Sequence, residues 1–297
     1  MINKSSQPHG IIPAMVTPLT EAGELNEESL RRLTDRLIEG GVQGLFPIGS
    51  QGEFWAFTPE EKGRVWQVVV EQAQGRLPVY AGTAAITTRE AIELTRRAED
   101  CGVAAVSILT PFFLSPSQDE LFDHYAAIAE STGLPILLYG NPARTGVSLS
   151  IGLVERLAEI DNIVGIKDSS GQLALTAGYI AATGEDFSVL MGNDALIFGA
   201  LAYGAKGAIA ATANIVPELV VSIYTAYMAG DLGEARQAQS ELAPLRAAFG
   251  WGTFPVVIKE ALDLMGEAAG PARGPVGPMS AEARQRLRNV LVDLGVV

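Results

Sequence analysis

One cysteine, two histidines and a shortage of positive charge set the first limits on this chain. Cys101 stands alone, so no intramolecular disulfide can form and a reducing cytoplasm fits. His9 lies in a polar leader and His124 within an amphipathic segment, too few for a metal site built on several histidines or for a Ser-His-Asp hydrolase. Lysine and arginine total 21 against 34 acidic residues, and the resulting charge of −13 argues against nucleic acid and anionic membranes as partners. The longest apolar stretches are broken by Gly, Pro or charge well short of a membrane span, and residues 1–10 carry no signal-peptide core. Neither a GxxxxGK[ST] loop nor a GxGxxG turn after a strand is found. Catalysis, if any, therefore has to come from Lys, Tyr, Ser/Thr, carboxylates and backbone, and no metal or organic cofactor is expected.

Against those absences stands a regular pattern. Short apolar runs recur at Ile11–Val16, Leu45–Ile48, Val79–Ala81, Ala104–Leu109, Ile136–Tyr139, Ile163–Lys167, Val189–Met191 and Gly207–Ala210, each followed by an amphipathic segment. Helix starts are signed by Thr58-Pro59-Glu60-Glu61, by Thr87 with Glu90 and by Ser117 with Glu120, all at capping-box spacing. Eight such units predict a parallel (β/α)8 TIM barrel over residues 11–229, with an open doubly wound sheet as the weaker alternative. From Pro217 the pattern is helical only. Segments near 217–229, 232–249, 255–264 and 281–294 leave residues 230–297 as a C-terminal helical extension.

Barrels carry their chemistry at the carboxyl ends of the strands. Those ends bring forward Gly49-Ser50-Gln51-Gly52-Glu53, Tyr139, Lys167 and Ile209. A lysine leaving a barrel strand loses hydration in a partly closed mouth, and its neutral amine can attack a carbonyl to form a Schiff base. By its own run Lys167 could equally end a strand and enter solvent. Tyr139, on the adjacent strand about 5 Å away, turns that choice toward chemistry, because a phenol there can move protons to and from a lysine-bound substrate. The glycine-rich turn offers N–H groups, a hydroxyl and an amide to a carboxylate, though an ordinary βα turn reads the same way; Glu53 is expected to cap or brace it. Arg144 can fork onto a second carboxylate or be a plain surface arginine.

Taken together, these segments resemble the dihydrodipicolinate synthase/N-acetylneuraminate lyase superfamily of class I, pyruvate-handling aldolases. The likeness runs from Ile11-Ile12-Pro13-Ala14-Met15-Val16-Thr17-Pro18 to the last helix. Its most specific pieces are residues 49–53, YGNPARTG at 139–146 and GIKDSSG at 165–171, supported by Gly192-Asn193-Asp194 and Ala211-Thr212-Ala213-Asn214. The resemblance implies Lys167 as the Schiff-base lysine and Tyr139 as the proton-transfer tyrosine. It implies Ser50 and Gln51 at the pyruvate carboxylate, Arg144 at a second carboxylate, and Ile209 offering its backbone carbonyl. It also implies a homotetramer built as a dimer of dimers and a small-molecule keto acid as ligand.

Three departures bear on the substrate. Ser50 and Gln51 stand where the synthase usually has two threonines, Gly140 replaces an asparagine, and Phe113 replaces the tyrosine that a neighbouring subunit lends to the proton relay. The leading expectation is therefore a class I lyase cleaving or dehydrating a 2-keto-3-deoxy sugar acid or a hydroxylated 2-oxo-diacid. The alternative is condensation of pyruvate with aspartate semialdehyde, and a third reading is a silent keto-acid-binding protein. The lysine feedback site of some synthases is poorly matched, since Trp55, Pro59, Ile86 and Phe112 stand where polar or hydroxylated residues are typical. Turnover is expected to be unaffected by added lysine; a titration that lowers the rate would refute this.

Overall fold

Seven parallel strands form one curved sheet in the computed structural model, which describes residues 7–297. They are β1 (Gly10–Pro13), β2 (Tyr80–Gly82), β3 (Ala105–Leu109), β4 (Ile136–Gly140), β5 (Ile163–Asp168), β6 (Ser188–Met191) and β7 (Gly207–Ala210), in the order β1-β7-β6-β5-β4-β3-β2. Residues 45–46 fill the eighth position and close the ring. Phe46 bridges to Ala14 beyond β1, and Leu45 bridges to Val79 before β2. The expected strand over residues 45–48 is thus cut to two residues. Pro47 has no N–H for a ladder, and Ile48 turns into the left-handed region at φ 55°. Gly82 accommodates that turn, since a Cβ there would lie 2.1 Å from the Ile48 carbonyl oxygen. The architecture is the (β/α)8 barrel that the eight apolar runs predict.

Side-chain alternation sorts the interior from the helical shell. Ile12, Phe46, Tyr80, Leu137, Leu190 and Ile209 belong to a buried cluster inside the barrel, while residues such as Ile11, Val106, Leu138 and Ile166 pack outward beneath the helices. The period of two that sends Ile166 and Asp168 outward sends Lys167 inward. Asp168 is consequently spent on structure, accepting from Thr176 Oγ1 at 2.6 Å and Ser170 N at 2.9 Å.

The helix starts follow the expected capping. Thr58 and Glu61 form a reciprocal box, as do Ser117 and Glu120, whereas Thr87 caps Glu90 N with no return bond from the Glu90 side chain. The motifs near residues 193 and 212 turn out to be seam staples. Asp194 Oδ2 accepts from Thr212 N and Oγ1 at 2.7 and 2.6 Å. Asn214 Nδ2 donates to Ala14 O and Ala211 O, both at 2.8 Å, and its Oδ1 accepts from Val16 N at 3.1 Å. Asp194 thus ties the end of β6 to the end of β7, and Asn214 ties the end of β7 to that of β1.

Beyond the helix Pro217–Met228, helices Leu232–Ala248, Val256–Leu264 and Ala281–Asp293 form the extension. Its anchor to the barrel is ionic. Lys259 Nζ lies 2.8 Å from Glu53 Oε1, with side chains 1% and 0% exposed, and donates to Pro271 O at 2.6 Å. Glu53 Oε2 accepts from Arg273 N at 2.8 Å, and the Arg273 guanidinium forks onto Glu61 while stacking on Phe57. Glu53 thus ties the turn at 49–53 to the extension and makes no side-chain cap bond within it. Losing one member strands a buried charge, so Lys259→Met is expected to cost about 3–5 kcal/mol, and Glu53→Gln combined with it to recover most of that. Urea unfolding of the single and double variants measures both; a cost below about 1 kcal/mol for the single variant would show the pair to be idle.

Candidate active site

A cavity of about 400 Å³ opens at the carboxyl ends of the strands. All six residues singled out in the sequence line it: Lys167, Tyr139, Ser50, Gln51, Arg144 and Ile209. The barrel register brings the first two together, because Tyr139 on β4 is the direct partner of Lys167 on β5. Lys167 is 4% exposed. Its Nζ sits 4.1 Å from the centre of the Tyr139 ring and 5.1 Å from that of Phe46, which is buried inside the barrel. Among the described residues no carboxylate lies within ion-pair distance of it. The amine therefore faces aromatic surface and open cavity, free to approach a carbonyl carbon.

Tyr139 is held by hydrogen bonds. Its phenol oxygen lies 3.2 Å from Ser50 Oγ and accepts from Asn141 Nδ2 at 3.2 Å. Burial, the largest single influence, would raise the phenol's pKa. The Lys167 ammonium and hydrogen bonds from Ser50, Asn141 and Ser169 together outweigh it and pull the pKa below the usual phenol value. The other buried tyrosines behave oppositely: burial pushes Tyr80 up to about 12 and raises Tyr125 and Tyr179 as well. Gln51 differs from its neighbour, for its Oε1 is buried without a protein partner. Arg144 sits on the short helix Pro142–Thr145, its guanidinium 4.2 Å above the Phe254 ring.

Several lining groups escaped the sequence reading. Asn141 lies inside the quoted 139–146 segment, and only the folded turn shows that its amide reaches the phenol. Arg246, Phe249 and Phe254 come from the extension, and no spacing in the sequence connects them with the strand ends they join. Phe113, by contrast, is absent from the cavity. It stands 97% exposed with φ 77° beside the half-exposed Leu114.

A barrel whose strand ends pair an uncountered lysine with a hydrogen-bonded phenol defines the class of imine-forming, class I lyases. The chain belongs to the dihydrodipicolinate synthetase family, whose model matches residues 7–294. It is 40% identical over 293 residues to a 4-hydroxy-tetrahydrodipicolinate synthase of Methanopyrus kandleri, covering 98% of each chain. Among solved structures it matches the chloride-inhibited dihydrodipicolinate synthase of Acinetobacter baumannii complexed with pyruvate, at TM-score 0.94 and 37% identity over 98% of this chain and 99% of that one. A monomeric dihydrodipicolinate synthase variant superimposes at TM-score 0.97 with 33% identity, both chains covered completely. No helix among the described residues is long and apolar enough to cross a membrane.

The depressed Tyr139 pKa has a measurable consequence. The phenol's proton is present below that pKa and lost as pH rises through it, so in an ultraviolet titration Tyr139 should ionise ahead of Tyr80, Tyr125 and Tyr179. Lys167→Met and Ser50→Ala should each move it back upward. An early-ionising phenol that both substitutions leave unmoved would contradict the assignment.

Proposed function

We propose that this protein condenses pyruvate with aspartate semialdehyde through an imine on Lys167, as a cofactor-free 4-hydroxy-tetrahydrodipicolinate synthase of the cytoplasm. The observation that carries the reading is the register pair Tyr139–Lys167 in one cavity with Arg144, within a chain 40% identical along nearly its whole length to proteins named for that activity. The Lys167 amine adds to the pyruvate carbonyl, water leaves, and the protonated imine draws electrons from the neighbouring methyl carbon. Loss of a proton there gives an enamine, whose carbon attacks the aldehyde, and the new alkoxide takes a proton by way of Tyr139. The amino group of the aldehyde substrate then adds to the imine carbon and expels the Lys167 amine, closing the ring and freeing the lysine. Ser50 and Gln51 hold the pyruvate carboxylate, Ile209 presents its backbone carbonyl to the site, and Arg144 holds the carboxylate of the aldehyde.

The sugar-acid expectation yields first place because full-length similarity runs to synthases; Gln51 and Phe113 keep it as the second reading. A silent binding protein is set aside by membership of an enzyme family. Phe113 brings no hydroxyl, so the phenol's own neighbour, Ser50 Oγ at 3.2 Å, takes the next place in the proton route. For assembly, the exposed Phe113 and Leu114 favour a homotetramer in which this surface is covered by another subunit, although the monomeric relative shows that such a barrel can stand alone.

The test is a mixed assay. Pyruvate and aspartate semialdehyde should disappear one for one, and borohydride should fix pyruvate on Lys167 in a peptide map. Tyr139→Phe should lower turnover by about 10²–10⁴ while the adduct still forms. Pyruvate released from a 2-keto-3-deoxy acid, with aspartate semialdehyde untouched, would transfer the assignment to the second reading.

A further inference from the structure

Two arginines face the cavity, and only one was visible in the sequence. Arg246 belongs to the last turn of the helix Leu232–Ala248. That helix is fastened to the barrel by Gln239, whose Nε2 donates to Asp194 O and whose Oε1 accepts from Phe198 N, each at 3.0 Å. Arg246 follows Gln239 by seven residues, two helical turns, and so shares the barrel-facing side. It lines the same cavity as Lys167 and Arg144.

Neither guanidinium is neutralised. Arg31, Arg64 and Arg273 hold carboxylates at 2.6–2.7 Å, whereas Arg144 and Arg246 have no acidic partner within ion-pair distance among the described residues. Each rests on a phenylalanine of the extension instead. Arg144 lies 4.2 Å from the Phe254 ring centre and Arg246 lies 5.3 Å from that of Phe249. Stacking holds a guanidinium by its face and leaves its N–H edges to a ligand. In a chain of net charge −13, two unpaired cations beside an imine-forming lysine mark the place where an anion must be drawn in against the overall field.

We propose that Arg246 is a substrate-binding residue that joins Arg144 in a two-arginine seat for the terminal carboxylate of the carbonyl partner, so that the site selects acidic aldehydes over neutral ones. The inference rests on the imine reading for the position of pyruvate, and it extends that reading by assigning the far end of the site to the extension. One guanidinium offers a single forked contact; two from different elements hold a carboxylate more tightly than they hold a neutral hydroxyl end.

Initial rates of Arg246→Gln and Arg246→Lys with aspartate semialdehyde, and with the neutral glyceraldehyde, test the kinetic side. Arg246→Gln should raise KM for the acidic aldehyde about 10- to 100-fold, the value of a lost charge-assisted contact, with KM for pyruvate and the borohydride-fixed adduct changed less than about twofold. Arg246→Lys should recover part of the loss, and any rate with glyceraldehyde should be insensitive to both. Binding is read separately, by calorimetry of succinate and of neutral succinamide on enzyme whose Lys167 has been fixed with pyruvate and borohydride. Succinate should bind, weaken about tenfold or more in Arg246→Gln, and outcompete succinamide. Arg246-dependent succinate binding without turnover of aspartate semialdehyde would sink the condensation reading and leave the seat intact. An unchanged KM for the acidic aldehyde together with unchanged succinate binding in Arg246→Gln would overturn the inference, as would an equal rise in KM for pyruvate.

Discussion

The buried pair of Glu53 and Lys259 is the contact on which the rest of the site depends. Both charges lie out of water and are tolerable only because each also holds backbone: Glu53 takes Arg273 N, and Lys259 gives to Pro271 O. Glu53 sits at φ 59° at the end of the turn that carries Ser50 and Gln51, so fixing its side chain fixes a backbone that prefers to relax. The same pair seats the helix Val256–Leu264, just after the Phe254 on which Arg144 rests. The turn that carries Ser50 and Gln51 and the segment under Arg144 are therefore tied together by residues far apart in sequence.

Around that anchor the electrostatics are local. The chain is strongly acidic, yet the cavity wall holds Lys167, Arg144 and Arg246 without a neutralising carboxylate. Acidic residues that come near by sequence are kept occupied elsewhere. Asp168 follows Lys167 directly but faces outward to Thr176, and Asp194 is taken up by Thr212. Strand alternation turns Asp168 away from the mouth, and the turn after β6 keeps Asp194 on Thr212, so neither carboxylate neutralises the cations there. The same field acts on Tyr139, which is buried like Tyr80 and Tyr125 but ionises more readily because an ammonium stands over its ring.

The barrel was legible because each of its units buries an alternating or wholly apolar strand under an amphipathic helix, a pattern local enough to count. It failed at residues 45–48, where proline and a left-handed isoleucine shorten the strand to a bridge pair, and at residues 14–16, since the strand expected over Ile11–Val16 ends at Pro13. The meeting of Lys167 and Tyr139 was legible for a related reason: a strand of period two that ends in lysine, next to a strand that ends in tyrosine, brings the two side chains together at the barrel mouth. Asn141 was present in a noticed segment but unassigned, since reach across a turn is a matter of side-chain rotation.

By itself the sequence determined the barrel, the inward aim of Lys167 and its pairing with Tyr139, all consequences of short-range periodicity and parallel register. Tertiary structure alone decided that Glu53 would be a buried ion rather than a surface cap, and that Phe249, Phe254 and Arg246 would complete the cavity. Those residues come from helices whose docking depends on packing and on a long-range ion pair. Such contacts leave no periodic trace, because what matters is where two distant surfaces meet and not the spacing of residues within either one.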